Sequence, residues 1–212
     1  FFDCEEEGML GAAAYAKSMS SKEIAMTEYM VNIDSVAFGD YCNIYGGVQN
    51  DKKKTVTETG AYDLAMKKAE ALGIKTYGTE QLNGYYKKNK TGPQIEYFAL
   101  YTNPWTYENP APKNGDYASP ATGDWGDHVP FTEIGIKYVY MEATNWYAKG
   151  DGGEDAYTGY FETANRKLGY DGMFMNTDAD TLKNLEKYFP GRAQAHFEVF
   201  SPLLSSLIMN AA

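Results

Sequence analysis

Histidine and cysteine are scarce in this chain: two of each in 212 residues. A metal site built from three imidazoles is therefore excluded within it. A dense disulfide framework is excluded too, and Cys4 and Cys42 form no C-x-x-C pair. Two buried thiols or one disulfide remain open, with the thiols ranked first. Cations are also few, with 19 Lys and Arg against 29 Asp and Glu, for a formal net charge of −10. Nucleic-acid binding needs basic patches that neutralise phosphates, and the run "DKKK" at 51–54 reads as a solvated loop. No apolar stretch reaches the roughly 18 residues that a membrane-spanning helix requires. No leader is visible, and the chain opens on Phe1 rather than methionine.

Tyrosine, by contrast, is abundant at 19 residues, which points to a wet, aromatic surface or cleft. Secondary-structure signals alternate along the chain. "FFDC" (1–4) reads as a buried strand, and the small-residue run 8–19 as a helix with Glu5 to Glu7 at its N-terminus. Strand formers follow at 28–38 and 42–48. A helix with Leu64, Ala65, Ala69 and Leu72 on one face spans 59–73. Residues 76–126 are rich in Pro, Gly, Asn and aromatics, and read as a long ordered loop excursion over the surface. A short helix at 128–135, with Asp127 as its N-cap, leads to a strand at 136–144. Two helices close the chain, at 180–189 and 193–209; the last presents Phe197, Phe200, Leu204, Leu207 and Ile208 on one face. Alternation of strands and helices predicts one α/β domain over 1–212, with helices on both faces of a sheet. In such sheets functional groups gather at strand ends, where Glu5, Glu6, Asp34 and Thr144 are expected.

Adjacent glutamates at a strand end can divide the labour of a hydrolase. One holds a cation while its neighbour, facing elsewhere, takes a proton from water. Asp34 in "NID" offers a further anion. Read singly, each of these acids is more simply a cap or turn residue, and His196 a packed histidine.

Taken together, four segments resemble the M28 family of zinc aminopeptidases. "FFDCEEEGMLGAAAY" is similar to the family pattern F-x-x-x-E-E-x-G-x-x-G-x-x-x-Y, and "NID" (32–34) to N-x-D. "GDHVPFTEIGI" (126–136) resembles S-D-H-x-x-F-x-x-x-G-I, and "NTDADTLKNL" (176–185) resembles H-T-x-x-D-T-x-x-N-L. The resemblance implies a three-layer α/β/α sandwich with a mixed, mostly parallel sheet and two zinc ions. It makes Glu5 the general base, Glu6 a ligand of one zinc and Asp34 a ligand of the other. Asp127 and His128 then support the metal and substrate pocket, and the substrate is the N-terminal end of a peptide. Exported location follows from the family as well, and "NKT" (89–91) fits a glycosylation acceptor.

Three departures shape the expectation. The family's H-x-D segment and bridging Asp, upstream of E-E, have no counterpart here, so the N-terminal part of the domain is expected to be missing. The late histidine ligand falls on Asn176, and an amide binds zinc poorly; Asp178 is the nearby substitute. The spacing from Asp34 to Asp127 is long, so the 76–126 excursion is read as an insertion with Trp105 and Tyr107 near the cleft mouth. This chain alone is therefore expected to be inactive and to bind zinc weakly or not at all. Two other readings stand beside it: a metal-free, non-catalytic peptide- or protein-binding relative, and an enzyme like glutaminyl cyclase.

Overall fold

The computed structural model describes residues 2–50, 55–78, 96, 98–102, 121, 125–145 and 176–209. Five strands form one sheet: β1 (Met30–Ile33), β2 (Tyr41–Tyr45), β5 (Lys75–Tyr77), β6 (Ala99–Thr102) and β7 (Tyr138–Thr144), in the order β1-β7-β2-β6-β5. β1 and β7 pair parallel, as do β2 with β6 and β5 with β6. β2 and β7 pair antiparallel in the middle. A separate hairpin pairs β3 (Val48–Asn50) with β4 (Thr55–Thr57). The mixed, mostly parallel α/β sheet expected from the sequence is what the chain forms.

Side-chain alternation along β2 and β7 sorts the two faces. Cys42, Ile44, Val139 and Met141 join Leu100 of β6 under two helices, α3 (Gly60–Ala71) and the C-terminal α6 (Arg192–Met209). Ala61, Ala65 and Ala69 let α3 lie close, and Phe200, Leu203 and Leu207 fill the space beneath α6. Each fully buried Ile or Leu here contributes about 1.5–3 kcal/mol of transfer free energy. On the opposite face Tyr45, Tyr138 and Tyr140 pack against Ala12 of α1 (Leu10–Ser18) and Phe131 of α4 (Val129–Glu133). Helices thus cover both faces, giving three layers. Short α2 (Ser21–Met26) starts at a capping box, in which Ser20 and Glu23 satisfy each other's backbone amides. Thr181 caps α5 (Leu182–Tyr188) through Asn184 N–H at 3.2 Å.

Several expectations need correction. Residues 2–4 form no strand, because Cys4 adopts a left-handed backbone (φ 58) that breaks extension. Instead Phe2 anchors the segment by packing its ring on Tyr15 and Phe131, at 5.6 and 5.5 Å between centroids. The 76–126 stretch is not all loop, since β6 lies within it with Leu100 and Tyr101 fully buried. The apolar run "FALYT" is the signal that its Pro- and Asn-rich surroundings hid. In α6 the buried face is Ala195, His196, Val199, Phe200, Leu203 and Leu207, whereas Phe197 and Ile208 are exposed. The helix runs through Pro202. Cys4 is exposed and Cys42 buried, and both are free thiols. Among the described residues no helix is long and apolar enough to cross a membrane. Trp105, Tyr107 and the 89–91 acceptor lie outside the described residues.

Candidate active site

The acidic run sits in the turn just before α1, at its N-terminal end, with no acid inside the first helical turn. Backbone carbonyls cap the helix in its place. Glu5 O accepts from Gly8 and Met9 N–H, Cys4 O from Leu10 N–H and Asp3 O from Gly11 N–H, at 2.8–3.1 Å. Both glycines of the motif have a physical reason. Gly8 has φ 97, and a Cβ on Gly11 would meet Asp3 O at 2.5 Å. This tight return fixes the backbone beneath Glu5 and Glu6.

Asp34 leaves the carboxyl end of β1, and its N–H bonds Met141 O at 3.1 Å. Its carboxylate accepts from Ser35 Oγ (3.2 Å) and the Tyr140 hydroxyl (3.3 Å). Burial, then the charges of Glu142 and Asp34, push the Tyr140 phenol well up, so it stays a neutral donor. Asp127 and His128 precede α4, whose N-cap is His128 rather than Asp127, with no side-chain cap bond. The His128 ring is buried against Tyr138 and Tyr140, at 4.4 and 5.3 Å between centroids. Gly126 allows a close approach here: a Cβ would lie 3.1 Å from Asn32 Nδ2 and 3.2 Å from His128 Nδ1. Asn32 Nδ2 and Asp127 Oδ1 are buried with no hydrogen-bond partner among the described residues.

The carboxylates lie near enough to feel one another's charge. Glu5 binds its proton more tightly than an ordinary glutamate, first through burial and then through the charges of Glu6, Asp34 and Asp127. Asp127 is raised by burial and by Asp34. Asn176, in a left-handed turn (φ 60), reaches this group and donates from Nδ2 to Glu6 Oε1 at 2.7 Å. Asp178 is exposed, and it is Asn176 that meets Glu6. The structure therefore brings together Glu5, Glu6, Asp34, Asp127 and Asn176, with His128 alongside. Sequence reasoning overlooked Asn32 and Tyr140. The signal was available, since Asn32 shares a face with Asp34 at strand spacing, and Tyr140 is the register partner of Asn32.

Zinc prefers nitrogen and sulfur ligands in a tetrahedral set. Here the late position carries an amide whose N–H already engages Glu6, and His196 is turned to Val36 O. Among the described residues no three of His, Cys, Asp or Glu come close enough to hold a metal ion together. The described residues do not by themselves fit a zinc centre. What they offer is a half-buried base, Glu5, in a strongly anionic environment.

Residues 1–94 match the model of peptidase family M28. Over 207 residues the chain is 27% identical to the alkaline phosphatase isozyme conversion protein of Escherichia coli (strain K12), covering 96% of this chain and 48% of that protein. It thus spans about half the length of that curated relative. Among solved structures, BSAP, a zinc aminopeptidase from Bacillus subtilis, superposes with a TM-score of 0.50 at 16% identity. That match covers 97% of this chain and 34% of the other, and it speaks for the fold alone.

Proposed function

We propose that this chain, whose residues 1–94 match the model of peptidase family M28, is part of a hydrolase of that family that removes N-terminal residues from peptides. The observation that carries the reading is the convergence of Glu5, Glu6, Asp34 and Asp127 around a base with raised proton affinity. Glu5 takes a proton from the attacking water and passes it to the departing amine. Its elevated pKa moves it toward the operating range of such a base. Asp34 is held still by Tyr140 and Ser35, and with Glu6 it supplies the negative charge that a cationic centre or a substrate α-ammonium group requires.

A zinc centre, where present, would polarise the scissile carbonyl. In our reading its ligands include groups from the portion of the relatives that this chain does not span, and the isolated chain binds zinc weakly. Function outside the cytoplasm is part of the same proposal.

The test uses the full-length protein with aminoacyl-4-nitroanilides, with and without a zinc chelator. Activity that the chelator removes, and that Glu5→Gln lowers by about 100-fold or more, supports the reading. A folded Glu5→Gln protein with unchanged kcat contradicts it.

One observation favours a second reading. The Asn176 amide already engages Glu6 at 2.7 Å, as expected of a relative that has given up its metal and kept the cleft for binding peptides. Under that reading the intact protein holds no zinc and binds peptides without cleaving them.

A further inference from the structure

Asp34 is carried by a loop, residues 34–40, that crosses from β1 over the carboxyl end of β7 into β2. The crossing is close. A Cβ on Gly39 would lie 2.0 Å from Ala143 C and O, so only glycine allows the loop to lie flat there. Two backbone bonds stitch the near end of the loop to β7: Asp34 N–H to Met141 O and Ala143 N–H to Ser35 O, both 3.1 Å. The remainder runs past β7, and backbone carbonyls there still need donors.

Those donors come from the C-terminal helix. Arg192 Nη1 donates to Phe38 O at 2.6 Å, and the His196 ring pairs through Nδ1 with Val36 O at 3.0 Å. Four residues apart, the two side chains project from the same face of α6. Both are buried. Arg192 is pinned in turn: its guanidinium lies over the Phe189 ring at 4.2 Å, and the same Nη1 reaches Asp40 Oδ1 at 3.1 Å. Asn145 Nδ2 holds the other oxygen of Asp40 at 2.6 Å. Stability alone does not call for this arrangement, because a buried ion pair against apolar packing is near break-even. What it specifies is the position of a loop.

We infer that Arg192 and His196 are positioning residues: from α6 they clamp the carbonyls of Phe38 and Val36 and thereby fix Asp34 against Glu5 and Asp127. No metal, ligand or titration enters the inference. It rests on the hydrolase reading for its consequence in rate, but not for its structural content.

Arg192→Lys separates the two roles of Arg192. Lysine keeps a cation facing Asp40, but its ammonium ends one bond short of the terminal guanidinium nitrogen that also serves Phe38 O. His196→Phe keeps the bulk and removes the bond to Val36 O. In the full-length protein both variants are expected to lower kcat by about 10–100-fold with KM little changed. Amide hydrogen exchange at Asp34 and Ala143 should quicken at least about tenfold, while Ile44 and Leu100 keep their native rates. Native kcat in both folded variants, or exchange that quickens equally at all four amides, overturns the inference. Should the native protein show no peptidase activity, the hydrolase reading fails, and the exchange pattern alone still decides whether the clamp exists.

Discussion

The two faces of the sheet are built from neighbouring residues of the same strands, yet they are chemically unlike. Beneath α3 and α6 lie Cys42, Ile44, Leu100, Val139 and Met141. The other face carries Tyr41, Asn43, Tyr45, Tyr101, Tyr138, Tyr140, Glu142 and Thr144, all buried. The first face is held by area removed from water. The second is held by rings and by polar bonds such as Asn43 Nδ2 to Thr144 Oγ1 at 2.7 Å, and Tyr41 against Tyr101 at 4.9 Å between centroids. Period-two alternation makes this division available to any strand. Here the polar face supplies Asn32 and the Tyr140 hydroxyl to the edge where the carboxylates meet, so the apolar face bears stability while the tyrosine face presents chemistry.

Adjacent positions on β2 sharpen that contrast most strongly. Ile44→Ala on the apolar face should cost about 2–5 kcal/mol in denaturant unfolding, from lost transfer and a residual cavity. A loss below about 1 kcal/mol would mean that this face is not the stabilising one.

Next comes acid. Burial, assisted by the nearby Arg192 charge, pushes the His196 imidazole down to about 4, whereas an unfolded histidine titrates near 6.5. The unfolded chain therefore binds more protons between these values, and stability falls as pH drops through them. The contribution is about 3 kcal/mol, fully present above about pH 6.5. Glu5 and Asp127, with raised values, act in the opposite sense. The difference between native protein and His196→Phe across pH 7 to 4 isolates the histidine, and parallel pH profiles would refute its burial in the neutral form.

The smallest effect is expected at Tyr45→Phe. Its hydroxyl lies 3.4 Å from Thr144 Oγ1, a weak bond, while the ring remains packed against Tyr140. The cost should stay within about 1 kcal/mol by thermal unfolding. A loss as large as that at Ile44 would erase the distinction between the faces.

Much of the fold was legible because its signals are local. β1, β7, α1 and α3 follow from β-branched or aromatic runs and from alanine-rich periodicity. β6 was hidden since its four residues are bounded by breakers, and burial on both faces leaves no alternation to read. "FFDC" misled for the converse reason: an apolar run can anchor a turn, and nothing local announces the left-handed backbone of Cys4. At the site, the spacing of Glu5, Glu6, Asp34, Asp127 and Asn176 in the four segments was informative, whereas the Asn176 bond to Glu6 and the hold of α6 on the Asp34 loop span large sequence separations. Contacts of that kind belong to the tertiary structure and leave no periodic trace.

The most direct measurement is a carbon-13 titration of the Glu5 carboxyl, in the native protein and in Asp34→Asn. The account predicts a midpoint above the ordinary glutamate value of 4.5, moving back toward it when the Asp34 charge is removed. A midpoint at or below 4.5, indifferent to Asp34→Asn, would mean that these carboxylates do not share a site.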